Sequence, residues 1–172
     1  VSPETGNVVR TIGGFTDVRG LDLDSEGFLY VYDVGAPRRI AKVDGDGNIV
    51  LKFGGMGTGP GKFSPDVPAE NLVRVSMLDI TADDRIVAID PGNYRVHVFR
   101  SGGAHHTTIG EQGSLPSQFA RRPFGVSVLP DSSILVAVGE EWSDASGMFF
   151  QLDGTYLKRW DNQGFPMSNV CS

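Results

Sequence analysis

Arginine recurs just before apolar runs in this sequence, and carboxylates recur inside those runs and at their ends. Arg19 precedes Leu21, Arg74 precedes Met77, and Arg121 with Arg122 precedes Phe124. Gathered at one rim by a repeating frame, these guanidinium groups would offer planar bidentate donors to an anionic ligand or an acidic partner segment. The structural alternative is that each pairs with a neighbouring Asp or Glu, or lies over apolar surface. Trp142 stands among the acids of Glu140-Glu-Trp-Ser-Asp144, either as a recognition anchor or packed beneath its own loop. Asp22 and Asp79 hold equivalent places, with Ser127 the third, so a polar ring lining a channel is one expectation. Asp33 with Arg39, and Asp90 with Arg95, each join the end of one apolar run to the start of the next. These pairs are expected to bridge their own hairpins.

Other chemistry has little support in the residue pattern. His97 lies within an apolar run, and His105 and His106 are adjacent, so on a strand they point to opposite faces. Asp24, Asp83 and Asp131 fall in turns, where Asp binds local backbone N–H groups, and no acidic loop has regular calcium-ligand spacing. No cofactor is therefore expected, and a calcium site in these turns stays open without support from the residue pattern. No Gly-x-Ser-x-Gly elbow is present. The glycine-rich run Gly54–Gly61 leads to no helix, unlike a phosphate-binding loop. Cys171 is the single cysteine, which excludes an internal disulfide framework and a Cys-rich zinc site.

The chain has 172 residues, with 15 Lys and Arg against 21 Asp and Glu for a net charge of −6. That balance argues against a nucleic-acid partner. No apolar stretch is long enough for a membrane span. The chain opens at Val1 without a charged-then-apolar leader and reads as a trimmed or processed piece. With 23 glycines and 10 prolines beside 40% hydrophobic residues, the composition fits tight turns between short strands better than disorder.

The positioning elements follow from internal repetition. Phe53-Gly-Gly-Met-Gly-Thr-Gly-Pro-Gly-Lys-Phe63 returns as Ile109-Gly-Glu-Gln-Gly-Ser-Leu-Pro-Ser-Gln-Phe119, and Ile12-Gly-Gly-Phe15 is a shorter version. After each comes the same hairpin pattern, at Leu21–Asp33, Leu78–Asp90 and Val126–Val138. Apolar residues alternate with period 2, and Asp, Gly, Ser and Pro clusters separate the runs. The spacing predicts four strands per unit: 19–24, 28–33, 39–44 and 48–54, then 77–82, 85–90, 95–100 and 105–110, then 124–129, 133–138, 147–152 and 155–160. Residues 6–13 resemble a lone fourth strand, and 161–172 form a tail. The fold class predicted is all-β, a β-propeller of four-stranded antiparallel blades at 19–54, 77–110 and 124–160, with 6–13 as the outer strand of a preceding or closing blade.

These blades resemble NHL repeats. The resemblance is carried by Asp33-Val-Gly-Ala-Pro-Arg-Arg39-Ile40 and Asp90-Pro-Gly-Asn-Tyr-Arg95-Val96. The third unit departs from the pattern, because Gly139–Gly147 replaces the loop and loses both the Asp and the Arg. The resemblance implies a six-bladed ring, of which this chain holds about half. Either it is part of a longer ring, or two copies close one by two-fold symmetry. It further implies an extracellular or periplasmic setting. The function implied is a non-catalytic scaffold binding a protein, peptide or glycan through its channel mouth, with Arg19, Arg74, Arg121, Arg122 and Trp142 as the residues to test. The alternative is a metal-dependent lyase or lactone hydrolase of the six-bladed type, seen here in part.

Overall fold

Aspartates in the turns set the hairpins. Asp24 accepts from the backbone N–H groups of Glu26 and Phe28, Asp44 from Asp46 and Asn48, Asp131 from Ser133, and Asp153 from Thr155. Such side-chain-to-backbone bonds favour the turn over continued strand. The computed structural model describes residues 7, 8, 10–66, 76–139 and 145–161. Within them the chain forms twelve strands in three antiparallel meanders. The first blade holds β1 (Val18–Leu23), β2 (Leu29–Asp33), β3 (Arg39–Val43) and β4 (Ile49–Gly54). The second holds β5 (Leu78–Ile80), β6 (Ile86–Asp90), β7 (Arg95–Phe99) and β8 (His105–Ile109), with a 3-10 turn at Pro91–Asn93. The third holds β9 (Pro123–Val128), β10 (Ile134–Val138), β11 (Ser146–Phe150) and β12 (Tyr156–Asp161). Each blade keeps its strands in sequence order. The twelve strands expected within the three blades are present, with boundaries shifted by a few residues at most, whereas the outer strand expected at 6–13 is not formed among the described residues.

The core lies in the two seams between blades. Tyr32, Ile40 and Phe53 of the first blade face Ala88, His97 and Phe99 of the second, and Phe63 packs between Tyr32 and His97 with ring centroids 4.7 Å and 5.5 Å away. Across the second seam, Phe119 meets Phe150 edge-on at 5.7 Å. The middle blade is covered on both sides, and β6 is buried along its whole length. The end blades are not: Leu21 and Leu23 on β1 are 60% and 58% exposed, and Trp160 on β12 is 54% exposed. One apolar sheet face needs another, so each seam exists because two blades cover what one cannot.

The repeated glycine-rich run is a loop that folds back on its own strand. Met56 bridges Phe63 and Gln112 bridges Phe119, each in parallel register. The buried phenylalanines lie over Gly54 and Gly110, where an added Cβ would sit 2.7 Å and 2.5 Å from the rings, with φ of 94° and 76°. Glycine is required there on both counts. Of residues 6–13, the described ones carry no strand, and Arg10 donates from Nη1 to the Gly45 carbonyl. Among the described residues, no strand pairs with them. Among the described residues, no helix is long and apolar enough to cross a membrane.

Candidate functional site

The inner strands of successive blades run close together, and their polar residues face the seam. The Arg19 carbonyl accepts from Met77 N–H at 3.2 Å, and the Ser76 carbonyl accepts from Val126 N–H at 3.2 Å. Gly20 permits the approach, since a Cβ there would lie 2.9 Å from Leu78. Asp22 accepts from its neighbour Leu23 N–H at 2.8 Å and, across the seam, from Ile80 N–H at 3.0 Å. Asp79 repeats the arrangement, accepting from Ile80 N–H at 2.9 Å and from Val128 N–H at 2.7 Å in the third blade. Each carboxylate thus ties its own inner strand to the next. Burial, together with hydrogen bonding to Asp79, raises Asp22 above the ordinary carboxylate value, against the two N–H bonds that lower it. Ser127 holds the third equivalent place and is exposed.

The strand order puts the β2–β3 and β6–β7 loops on one face, with the starts of β1 and β9. Asp33 Oδ1 accepts from Thr16 and Asp17 N–H groups at 3.1 Å and 2.9 Å, and Arg39 Nη2 lies 3.7 Å from Asp33 Oδ2. Asp33 Oδ2 and Arg39 Nε are both buried without a hydrogen-bond partner. In the second blade the equivalent pair is closer: Arg95 Nε donates to Asp90 Oδ2 at 3.0 Å. Asp90 also accepts from Ser64 N–H at 2.8 Å and from Asn93 Nδ2 at 2.7 Å. Burial alone would raise Asp90; His97, Ser64 N–H, Asn93 and Arg95 together outweigh it and hold the group below its ordinary value of 3.8.

Arg95 and His97 then reach the glycine-rich connector. Arg95 donates to the carbonyls of Thr58, Gly59 and Lys62 at 2.7, 3.0 and 2.8 Å, and His97 Nε2 donates to Lys62 at 3.0 Å. A carbonyl only accepts, so His97 Nε2 carries a proton, and Nδ1 is left to take the Thr108 hydroxyl at 3.3 Å. In the third blade Val138, Ser146 and Met148 occupy the places of Asp90, Arg95 and His97, and the seam is apolar instead.

The arginines singled out in the sequence are placed one by one. Arg19 holds Asp17 with two bonds, Nε at 2.7 Å and Nη2 at 3.1 Å. The guanidinium of Arg122 lies 5.7 Å from the centre of the Tyr94 ring, a cation–π arrangement on the same face. Arg121 is exposed beside it. Arg74 and Trp142 lie outside the described residues. Sequence reasoning missed Tyr94, which takes a left-handed backbone with φ 55° at the end of the 3-10 turn. A signal was present, for Tyr94 is the last residue of that loop, just before Arg95.

On the opposite face Asp24 pairs with Lys42 at 2.9 Å, and Lys42 lies 4.1 Å from the Phe28 ring centre. Asp84 accepts from Ser25 N–H and Oγ at 2.8 Å and 2.7 Å, tying the first blade's turn to the second's. Asp83 pairs with Arg85 at 2.9 Å. Among the described residues, no three His, Cys, Asp or Glu side chains gather where they would hold a metal ion.

No protein-family model matches the chain, and no curated protein matches it. Solved structures do. A streptogramin B lyase structure superposes with a TM-score of 0.57 at 15% identity, covering 86% of this chain and 41% of that one. Virginiamycin B lyase from Staphylococcus aureus gives 0.54 at 13% identity, covering 82% of this chain and 40% of that one. A quinonprotein alcohol dehydrogenase-like protein from Bacteroides thetaiotaomicron gives 0.54 at 15%, covering 83% and 33%. The chain is a partial β-propeller. It spans less than half the length of these propellers, and at such identities the likeness is one of fold.

Proposed function

We propose that this propeller is a non-catalytic binding scaffold of the NHL type, presenting the face of Arg19, Tyr94, Arg121 and Arg122 to an acidic peptide or protein segment or an anionic glycan. One observation carries the reading. The carboxylates a catalytic axis would need, Asp22 and Asp79, are already engaged with backbone N–H groups that join the blades. Asp33 and Asp90 likewise accept from the connectors. What this face offers outward, beside the Arg19–Asp17 ion pair, is Arg121, Arg122 and the Tyr94 ring, groups suited to holding a ligand rather than transforming it.

Titrating the protein with a short fluorescent poly-glutamate peptide tests this. Saturable binding is expected, weakening with added salt and about tenfold in Arg122→Ala, roughly 1.4 kcal/mol. A sulfated glycan in place of the peptide distinguishes the two ligand classes. Binding indifferent to salt and to combined Arg121→Ala and Arg122→Ala substitution would remove the reading.

A second reading is favoured by the two solved lyases among the similar structures: a metal-dependent lyase or lactone hydrolase present here in part. A rise in melting temperature on adding calcium or zinc would favour it, and indifference would favour the scaffold.

A further inference from the structure

A β-bulge brings three polar side chains of the second blade onto one patch. β7 and β8 pair His97 with Thr108 and Phe99 with His105, and the register slips between Val98 and Phe99. On a regular strand residues 105 and 108, three apart, would face opposite sides. The slip turns both to the side of His97. The His97 and His105 ring centroids are 5.3 Å apart, edge to face. The glycine-rich connector closes over them, for an added Cβ on Gly61 would lie 3.1 Å from His105 and 3.2 Å from the Phe99 ring. His97 is buried, His105 half-buried and Thr108 exposed, so the patch opens to solvent at Thr108.

Both rings reach one oxygen. Thr108 Oγ1 lies 3.3 Å from His97 Nδ1 and 3.0 Å from His105 Nε2. The lone pair of His97 is fixed at Nδ1, because Nε2 is held as a donor by the Lys62 carbonyl at 3.0 Å, with Asp90 Oδ2 3.5 Å away. A metal-bound imidazole is held in this way, its far N–H set against a carbonyl or carboxylate. Burial, then the neighbouring His97, lower His105 below its ordinary 6.5 against a backbone bond at Thr107 that raises it. The ring is therefore neutral at neutral pH, and it presents a lone pair at Nε2 when its proton sits on Nδ1. A hydroxyl has one hydrogen and serves one such lone pair. A metal ion serves both.

We propose that His97 Nδ1 and His105 Nε2, with the Thr108 hydroxyl beside them, form a binding site for zinc. An ion between the two nitrogens, rather than at the oxygen, shortens both contacts toward the roughly 2.0–2.1 Å of a zinc–nitrogen bond. Water from the open side completes the coordination. Imidazole suits zinc and copper and does not suit calcium. The repeat does not call for these residues. The same bulge stands in the other two blades, where the three places hold Ala41, Ile49 and Lys52, and Met148, Tyr156 and Arg159. The site lies on the outermost strands of its blade and does not depend on the binding reading.

Calorimetric titration with zinc chloride tests it on the intact chain, on His105→Ala and on His106→Ala, the exposed neighbour beside Arg85. His106→Ala is expected to bind zinc as the intact chain does, and His105→Ala to bind one equivalent fewer. Absence of zinc binding by the intact chain would overturn the proposal. So would equal binding by the intact chain and His105→Ala, which would send the metal elsewhere, to the axis if the lyase reading holds. A second readout needs no substitution and decides the matter if His105→Ala fails to fold. Electron spin-echo spectra of the intact chain loaded with copper(II) are expected to show two imidazole nitrogens on the ion, and fewer than two would overturn the site.

Discussion

Asp90 shows how one carboxylate can fasten several parts of a fold. It touches its own hairpin through Arg95, the loop through Asn93, and the connector from the preceding blade through Ser64 N–H. Replacing it with Ala should cost about 3–5 kcal/mol, because the buried Ser64 N–H and the part-buried Arg95 Nε would lose their acceptor. Urea unfolding measures that directly. The pH dependence follows from the same contacts. Asp90 and Asp24 titrate below the ordinary 3.8 when folded, so they bind fewer protons than the unfolded chain in that range. The stability they give is present above that value and is lost as pH falls below it through their folded values. Asp22 has the opposite sign, its folded value being raised, so it weakens the fold as pH climbs past 3.8. Thermal melts stepped downward from neutral pH should therefore lose stability mainly on the acid side, and Asp90→Asn should flatten that loss.

At the level of elements, local rules decided most of what could be read in advance. Each hairpin is written in a few adjacent residues, an alternating apolar run and an Asp- or Gly-bearing turn, so strands were legible to within a few residues. The roles of Asp22 and Asp79 were not legible as they stand. Their partners are backbone N–H groups in the next blade, 58 and 49 residues away, and a backbone donor leaves no side-chain signature. Tyr94 was missed for a related reason, since its place under Arg122 joins two blades. The glycine-rich motif was visible as a repeat, and its meaning, a loop closing over a buried Phe, became visible in space. Two substitutions probe it. Phe63→Ala should cost about 3–5 kcal/mol, as for other buried aromatics. Gly54→Ala should cost over 1 kcal/mol, because a Cβ meets the Phe63 ring and the backbone has φ of 94°. Denaturant midpoints of the two variants give both figures.

For the whole molecule, what matters is that three blades stand in a row with unlike ends. Stability in such arrays is roughly the sum of each unit and its contacts with neighbours. The middle blade has two neighbours, and β6 is buried throughout. Amide exchange should be slowest at Val87, Ile89 and Val98, and fastest in β1 and β12, a gradient readable by mass spectrometry. Uniform protection across the three blades would mean that they open as one cooperative unit.

The two connectors also differ in how they are held, and a protease would read that difference. The first, Gly54–Phe63, has its carbonyls clasped from the neighbouring blade by Asn93, Arg95 and His97. The second, Gly110–Phe119, is fastened to itself by Gln118, whose side chain bonds Leu115 N–H and Glu111, and Leu115 stands 61% exposed at its tip. Chymotrypsin under native conditions should cut first beside Leu115. The nick would divide the molecule into a two-blade piece, still clasped at its own connector, and a single blade that cannot cover both of its faces.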